Sequence, residues 1–151
     1  MNEKYIYPLS YDENLYSKLN NKLEFKEAFN KIPNKISDVK QLDDFEKKNY
    51  FTLKSHQLFV RNFLSEHTPY NNLLLYHGLG TGKTCSAIGI AFERIKYMIQ
   101  TNRKQKIVLI CSENVKENFK KQIFSEDKLF MEHDIWVLNT CVGKELLDII
   151  N

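Results

Sequence analysis

Residues 73 to 88 read LLLYHGLGTGKTCSAI, and they hold the side chains with the most evident chemistry. Gly78, Gly80 and Gly82 alternate with Leu79 and Thr81, and Lys83 and Thr84 follow directly. Glycine adopts positive φ at no steric cost, so such a run can turn successive backbone N–H groups inward around an anion. Lys83 adds a mobile positive charge suited to β- and γ-phosphates, and the Thr84 hydroxyl is suited to a nucleotide-bound Mg2+. A flexible turn capping a helix would account for the glycines, but not for Lys-Thr behind them or an apolar strand in front. The spacing predicts a nucleotide phosphate site over His77, Gly78, Leu79, Gly80, Thr81, Gly82, Lys83 and Thr84, with Lys83 as its catalytic side chain.

His77 stands where the strict pattern G-x-x-x-x-G-K-[ST] has its first glycine. That position leaves the strand and need not wrap phosphate, so a side chain pointing away is tolerated. A structural role is expected for His77, not that of a base or metal ligand.

Such a loop needs a strand before it and a helix behind it. LLLY (73–76) is the expected strand, and residues 83 to about 100 carry Ala87, Ile88, Ala91, Ile95, Met98 and Ile99 as a helical stripe. The partial positive charge at the start of that helix would face the same anion. KIVLIC (106–111) reads as a strand buried on both faces of a parallel sheet. SENVKENFKKQIF reads as a helix with Asn114 and Glu117 at N-cap and N3 spacing and Val115, Phe119 and Ile123 on one face. DIWVL (134–138) reads as a third strand. Upstream, SHQLFVRNFLSEH reads as a helix presenting Leu58, Phe59, Phe63 and Leu64. This order predicts an α/β domain over residues 50–151, a parallel sheet with flanking helices joined by right-handed crossovers.

Residues 1–49 are polar and rich in Tyr and Lys, and read as a helical N-terminal extension without a catalytic constellation. Leu15, Leu19 and Leu23 recur behind a Ser10-x-x-Glu13 capping pattern, and Ile36, Val39, Leu42 and Phe45 form a second repeat beyond Pro33. The 151 residues are enough for one domain that buries roughly 70% of its unfolded surface. The net charge of +3 comes from interleaved acids and bases, so charge alone argues only weakly for nucleic acid. No apolar run approaches the roughly 20 residues of a membrane span, and no signal-type segment opens the chain, so a soluble intracellular protein without a membrane partner is expected. Cys85, Cys111 and Cys141 are odd in number and lack C-x-x-C spacing, which predicts reduced packing cysteines and not disulfides or zinc ligands.

Gln57 precedes Lys83 by 26 residues on the helix leading into the first strand. Its amide could donate to and accept from an adenine edge, with Tyr50 or Phe51 near enough to stack the base; a solvated helical glutamine is the plainer alternative. With Leu53-x-x-His56-Gln57, the strand, the loop H-G-x-G-x-G-K-T and the following Ala- and Ile-rich helix, residues 50–151 resemble the start of a superfamily two helicase. TPYNNLLLYHGLGTGKTCSAI and LNTCVGKELL are similar, more narrowly, to the NTPases and helicase-like transcription factors of nucleocytoplasmic large DNA viruses. The poxvirus nucleoside triphosphate phosphohydrolase and early transcription factor small subunit are among these.

The resemblance implies a RecA-like phosphate-loop domain, ATP and Mg2+ as cofactors, and Gln57 as adenine reader. It also implies DNA or RNA as partner, with RNA polymerase or a transcription complex as a further one, and a virion or host-cytoplasm location. ICSENVKENF falls where this family contacts the nucleic-acid backbone, so Ser112 or Asn114 could donate to phosphate; capping of their helix is the competing reading. The family hydrolyses ATP with an Asp-Glu pair at a strand end. Glu126-Asp127 follows QIFS and Asp148 precedes Ile149, so neither matches. The chain is thus expected to be an incomplete RecA-like domain, the ATP-binding N-terminal part of a longer nucleic-acid-dependent ATPase or helicase, with an exposed strand edge of its own. A non-hydrolysing nucleotide-binding subunit of a transcription complex is one alternative. Another phosphate-loop class, such as an AAA-type ATPase or small kinase, is the other, although these lack the Leu53-x-x-His56-Gln57 arrangement.

Overall fold

The computed structural model describes residues 6–30 and 51–150. The expected repeat of Ile36, Val39, Leu42 and Phe45, with Pro33 and Tyr50, lies outside them. The described elements are α1 (Leu15–Asn20), α2 (Leu23–Asn30), α3 (Ser55–Phe63), α4 (Lys83–Gln100), α5 (Glu113–Ile123), β1 (Leu129–Glu132), β2 (Ile135–Leu138) and α6 (Gly143–Ile150). A single 3-10 turn, Glu126–Lys128, leads into β1.

Helix α1 starts at Leu15 behind Asn14, and Asp12 Oδ1 accepts the Asn14 N–H at 2.9 Å. The Ser10/Glu13 capping box is therefore not used: the carboxylate two residues before Asn14 makes a local Asx-type turn that serves instead. The chain turns at Asn21, which separates Leu19 from Leu23; Leu19 is fully buried and Leu23 is exposed. Leu19, Phe25, Phe63 and Tyr70 form a core joining α1, α2 and α3. Phe63 and Tyr70 stack with ring centres 4.1 Å apart, and the Tyr70 hydroxyl donates to the Pro8 carbonyl. Each large side chain closed off in this way contributes about 1.5–3 kcal/mol.

A second core, Cys85, Ile88, Phe92, Cys141 and Val142, joins α4 to the start of α6, with Phe119 and Ile123 of α5 packed against it. The buried stripe of α4 is Cys85, Ser86, Ile88, Gly89 and Phe92, whereas the expected Ile99 is 61% exposed. The stripe is turned because α3 packs against this helix, with Gly89 facing Leu53 and Arg61. Asn102, at φ 52°, ends α4: its N–H reaches the Ile99 carbonyl and the Arg103 N–H reaches Met98, a Schellman closure.

Cys85 and Cys141 are joined in a disulfide with their Cα atoms 5.3 Å apart, and Cys111 is exposed and free. This corrects the expectation of three reduced cysteines. The two partners lie 56 residues apart in sequence, and only the packing of α4 against the segment before α6 brings them together.

The strand content also differs from expectation. Among the described residues the chain is a mixed helical protein with one two-stranded antiparallel sheet, β1 pairing with β2 in the register Leu129↔Leu138 to Glu132↔Ile135. His133 and Asp134 both take positive φ, 49° and 62°, as a two-residue hairpin turn requires. Of the three expected strands only residues 135–138 pair; 73–76 and 106–111 form neither strand nor helix. Leu74, Tyr76, Val108 and Ile110 are largely exposed. A short apolar run becomes a strand only when a neighbour takes up its N–H and C=O groups, and no described segment pairs with either run.

Helix α5 begins two residues earlier than expected. Ser112, extended at φ −71° and ψ 160°, is its N-cap residue, and Asn114 lies in its first turn. Glu117, expected to close a capping box with Asn114, pairs instead with Lys120 at 2.7 Å. The extended backbone at Ser112 decides the start, because an N-cap residue must itself be non-helical.

Candidate phosphate-loop site

The loop between Tyr76 and α4 is shaped by its own backbone. Gly80 and Gly82 take φ of 75° and 82°, values that disfavour any side chain. Thr81 Oγ1 donates to the Gly78 carbonyl at 2.9 Å. Lys83 reaches back over the loop, its Nζ donating to the His77 carbonyl at 2.9 Å and to the Gly78 carbonyl at 2.7 Å. The ammonium thus bridges the first two carbonyls of the loop.

The N-terminus of α4 has neither a side-chain cap nor an acidic residue in its first turn. The first N–H groups of an 18-residue helix therefore lack the usual side-chain acceptors, and its dipole faces the loop without local neutralisation. Lys83 and Thr84 are half-buried, and Gly78, Leu79, Gly80 and Thr81 are exposed. Among the described residues no three His, Cys, Asp or Glu side chains gather as a metal site.

Helix α3 supports the loop from one side. Gln57 is 3% exposed; its Oε1 accepts the Lys54 N–H at 2.9 Å and its Nε2 donates to the Gly82 carbonyl at 3.2 Å. His56 places Nε2 2.9 Å from the Thr81 carbonyl, and its ring meets the His77 ring edge-on with centres 5.6 Å apart. His77 Nδ1 is shut off from solvent without a hydrogen-bond partner. From sequence Gln57 stands out as a base reader, and His56 has no role of its own. Its adjacency to Gln57 on a helix before the loop was the available signal.

Ser112 and Asn114 are exposed at the start of α5, on a helix surface with Lys116, Lys120 and Lys121. A cleft of about 790 Å3 lies elsewhere, lined by residues that include Phe51, Arg61, Trp136 and Lys144 and by none from His77 to Thr84.

By its elements the chain is a mixed helix-and-strand protein whose longest described helix is opened by a glycine-rich loop with Lys and Thr behind it. It is a relative of the proteins of large DNA viruses that carry helicase names. It is 31% identical over 130 residues to "Putative ATP-dependent RNA helicase" of Acanthamoeba polyphaga mimivirus, a match covering 80% of this chain and 11% of the relative. A "Putative helicase" of Invertebrate iridescent virus 3 is 32% identical over 108 residues, 64% of this chain and 11% of its own length. An "Early transcription factor large subunit homolog" of African swine fever virus is 54% identical over 39 residues, 26% of this chain and 4% of its own. The chain therefore spans about a tenth of the length of the first two relatives. No protein-family model matches it. No solved structure matches it. No helix among the described residues is long and apolar enough to cross a membrane.

Proposed function

We propose that the chain is the ATP-binding portion of a nucleic-acid-dependent ATPase or helicase of superfamily two, associated with viral transcription. The observation that carries this reading is the uncapped, acid-free start of α4 behind Gly80 and Gly82, with Lys83 folded back over the loop. The helicase names of its relatives support it. The first N–H groups of α4 and the loop would hold the β-phosphate. Lys83 would exchange the His77 and Gly78 carbonyls for β- and γ-phosphate oxygens, a stronger charge-assisted partnership. Thr84 would ligate Mg2+, which neutralises phosphate charge when bound.

In the same reading residues 50–151 belong to a RecA-like domain and residues 1–49 to a helical extension of it. Runs 73–76 and 106–111 would be strands of a parallel sheet, a role that suits their exposed apolar side chains. Gln57 would read adenine by releasing Gly82, since both ends of its amide are engaged within the protein. Ser112 and Asn114 would donate to DNA or RNA phosphate beside the lysines of α5. RNA polymerase or another transcription component would be the protein partner, in the virion or the host cytoplasm.

The test is Lys83→Ala in the full-length protein, which should abolish nucleic-acid-stimulated ATP hydrolysis. Unchanged hydrolysis would overturn the proposal. The alternative reading is a nucleotide-binding subunit that does not hydrolyse. It predicts ATP binding by a full-length protein that shows no hydrolysis with any nucleic acid.

A further inference from the structure

Two consecutive residues of α3 hold two consecutive carbonyls of the phosphate loop. His56 Nε2 lies 2.9 Å from the Thr81 oxygen, and Gln57 Nε2 lies 3.2 Å from the Gly82 oxygen. A carbonyl oxygen can only accept, so His56 must carry its proton on Nε2. All peptide bonds described are trans, and in a trans peptide the C=O and the following N–H point in opposite directions. Fixing the Thr81 and Gly82 carbonyls towards α3 therefore fixes the Gly82 and Lys83 N–H groups away from it. The Gly82 carbonyl is also held by the Ser86 N–H at 3.0 Å and the Ser86 hydroxyl at 3.3 Å. Among the described residues His56 is the hydrogen-bond partner of the Thr81 carbonyl, so that peptide depends on one side chain.

We infer that His56 is a positioning residue for phosphate recognition: it orients the Thr81–Gly82 peptide so that the Gly82 N–H meets the anion. This deepens the nucleotide reading above and rests on it. The role is indifferent to the base and acts on phosphate alone. Losing one such exposed hydrogen bond should weaken binding by roughly 3- to 10-fold.

The test compares the full-length wild type with His56→Phe, which keeps a ring without a donor, and His56→Gln, whose amide nitrogen can donate at similar reach. Affinities for ADP, GDP, pyrophosphate and adenosine are measured by calorimetry, and exchange of the Gly82 and Lys83 amides is followed by NMR without ligand. His56→Phe should weaken ADP, GDP and pyrophosphate by a common factor, spare any adenosine binding and speed Gly82 amide exchange, and His56→Gln should restore all of these. A loss confined to one base, unchanged affinity in His56→Phe, or equal failure of both variants with folded helices would overturn the inference. If the wild type binds none of the phosphates, the nucleotide reading falls. The amide exchange then judges the clamp by itself, and unchanged Gly82 exchange in His56→Phe would overturn it too.

Discussion

Gly82→Ala puts the junction of α3, the loop and α4 under direct strain. Gly82 has φ 82° and ψ 31°, and a Cβ there would overlap the Gln57 amide nitrogen well inside van der Waals contact. The left-handed backbone costs a non-glycine residue roughly 1–2 kcal/mol. Pushing aside the buried Gln57 amide breaks its bonds to Lys54 and Gly82, at roughly 1–3 kcal/mol for polar groups left unpaired. The expected loss is thus about 2–5 kcal/mol, read from urea unfolding followed by helical circular dichroism. The two contributions separate in a double-mutant cycle with Gln57→Ala. Without the amide nothing is left to collide with, so Gly82→Ala should then cost only about 1–2 kcal/mol, the backbone contribution. Additive effects in the cycle, or a single-variant loss under about 0.5 kcal/mol, would refute the described packing of Gln57 on the loop.

Gly89→Ala should have the opposite sign. Its Cβ would meet Leu53 and Arg61 at 3.7 and 3.9 Å, ordinary contact distances, so the helix gains about 0.5–1 kcal/mol; a loss of stability would mean α3 and α4 pack more closely than described. Thiol titration of the native, non-reduced protein should find one reactive cysteine, Cys111, and reduction should lower stability by up to about 4 kcal/mol for a closed loop of 56 residues; three reactive thiols in the native protein would exclude the Cys85–Cys141 bond. Tyr7 and Glu24 predict a pH signature. Burial, then the hydrogen bond to Glu24, pushes the Tyr7 phenol up to about 12, and that same bond holds the Glu24 carboxyl below its ordinary value. The Tyr7 contribution is full below its unfolded pKa of 10.0 and is lost as pH rises through about 12. The Glu24 contribution is present above 4.5 and is lost as pH falls through its depressed value. The stability difference between wild type and Tyr7→Phe should accordingly be widest between these limits and narrow at both ends, and a pH-independent difference would count against the pair.

Local pattern was enough to locate every helix from Ser55 to Ile123, because periodic apolar residues and glycine breaks act within a few turns. The loop was equally legible: a Gly-x-Gly-x-Gly-Lys-Thr run before a helical stripe leaves its backbone few other conformations. The resemblance to viral helicases rested on the same residues, and the relatives agree with it. What the pattern could not supply were pairings across distance. Runs 73–76 and 106–111 have strand composition, yet a strand exists only with a partner, and β2 found its partner in Leu129–Glu132 through a positive-φ turn at His133 and Asp134. Cys85 met Cys141 across 56 residues for the same reason. His56 has no signature of its own; only the packing of α3 against the start of α4 sets it on the Thr81 carbonyl. The order of loop and helix was therefore written in neighbours along the chain, while the partners of the loop's Thr81 and Gly82 carbonyls were decided by neighbours in space.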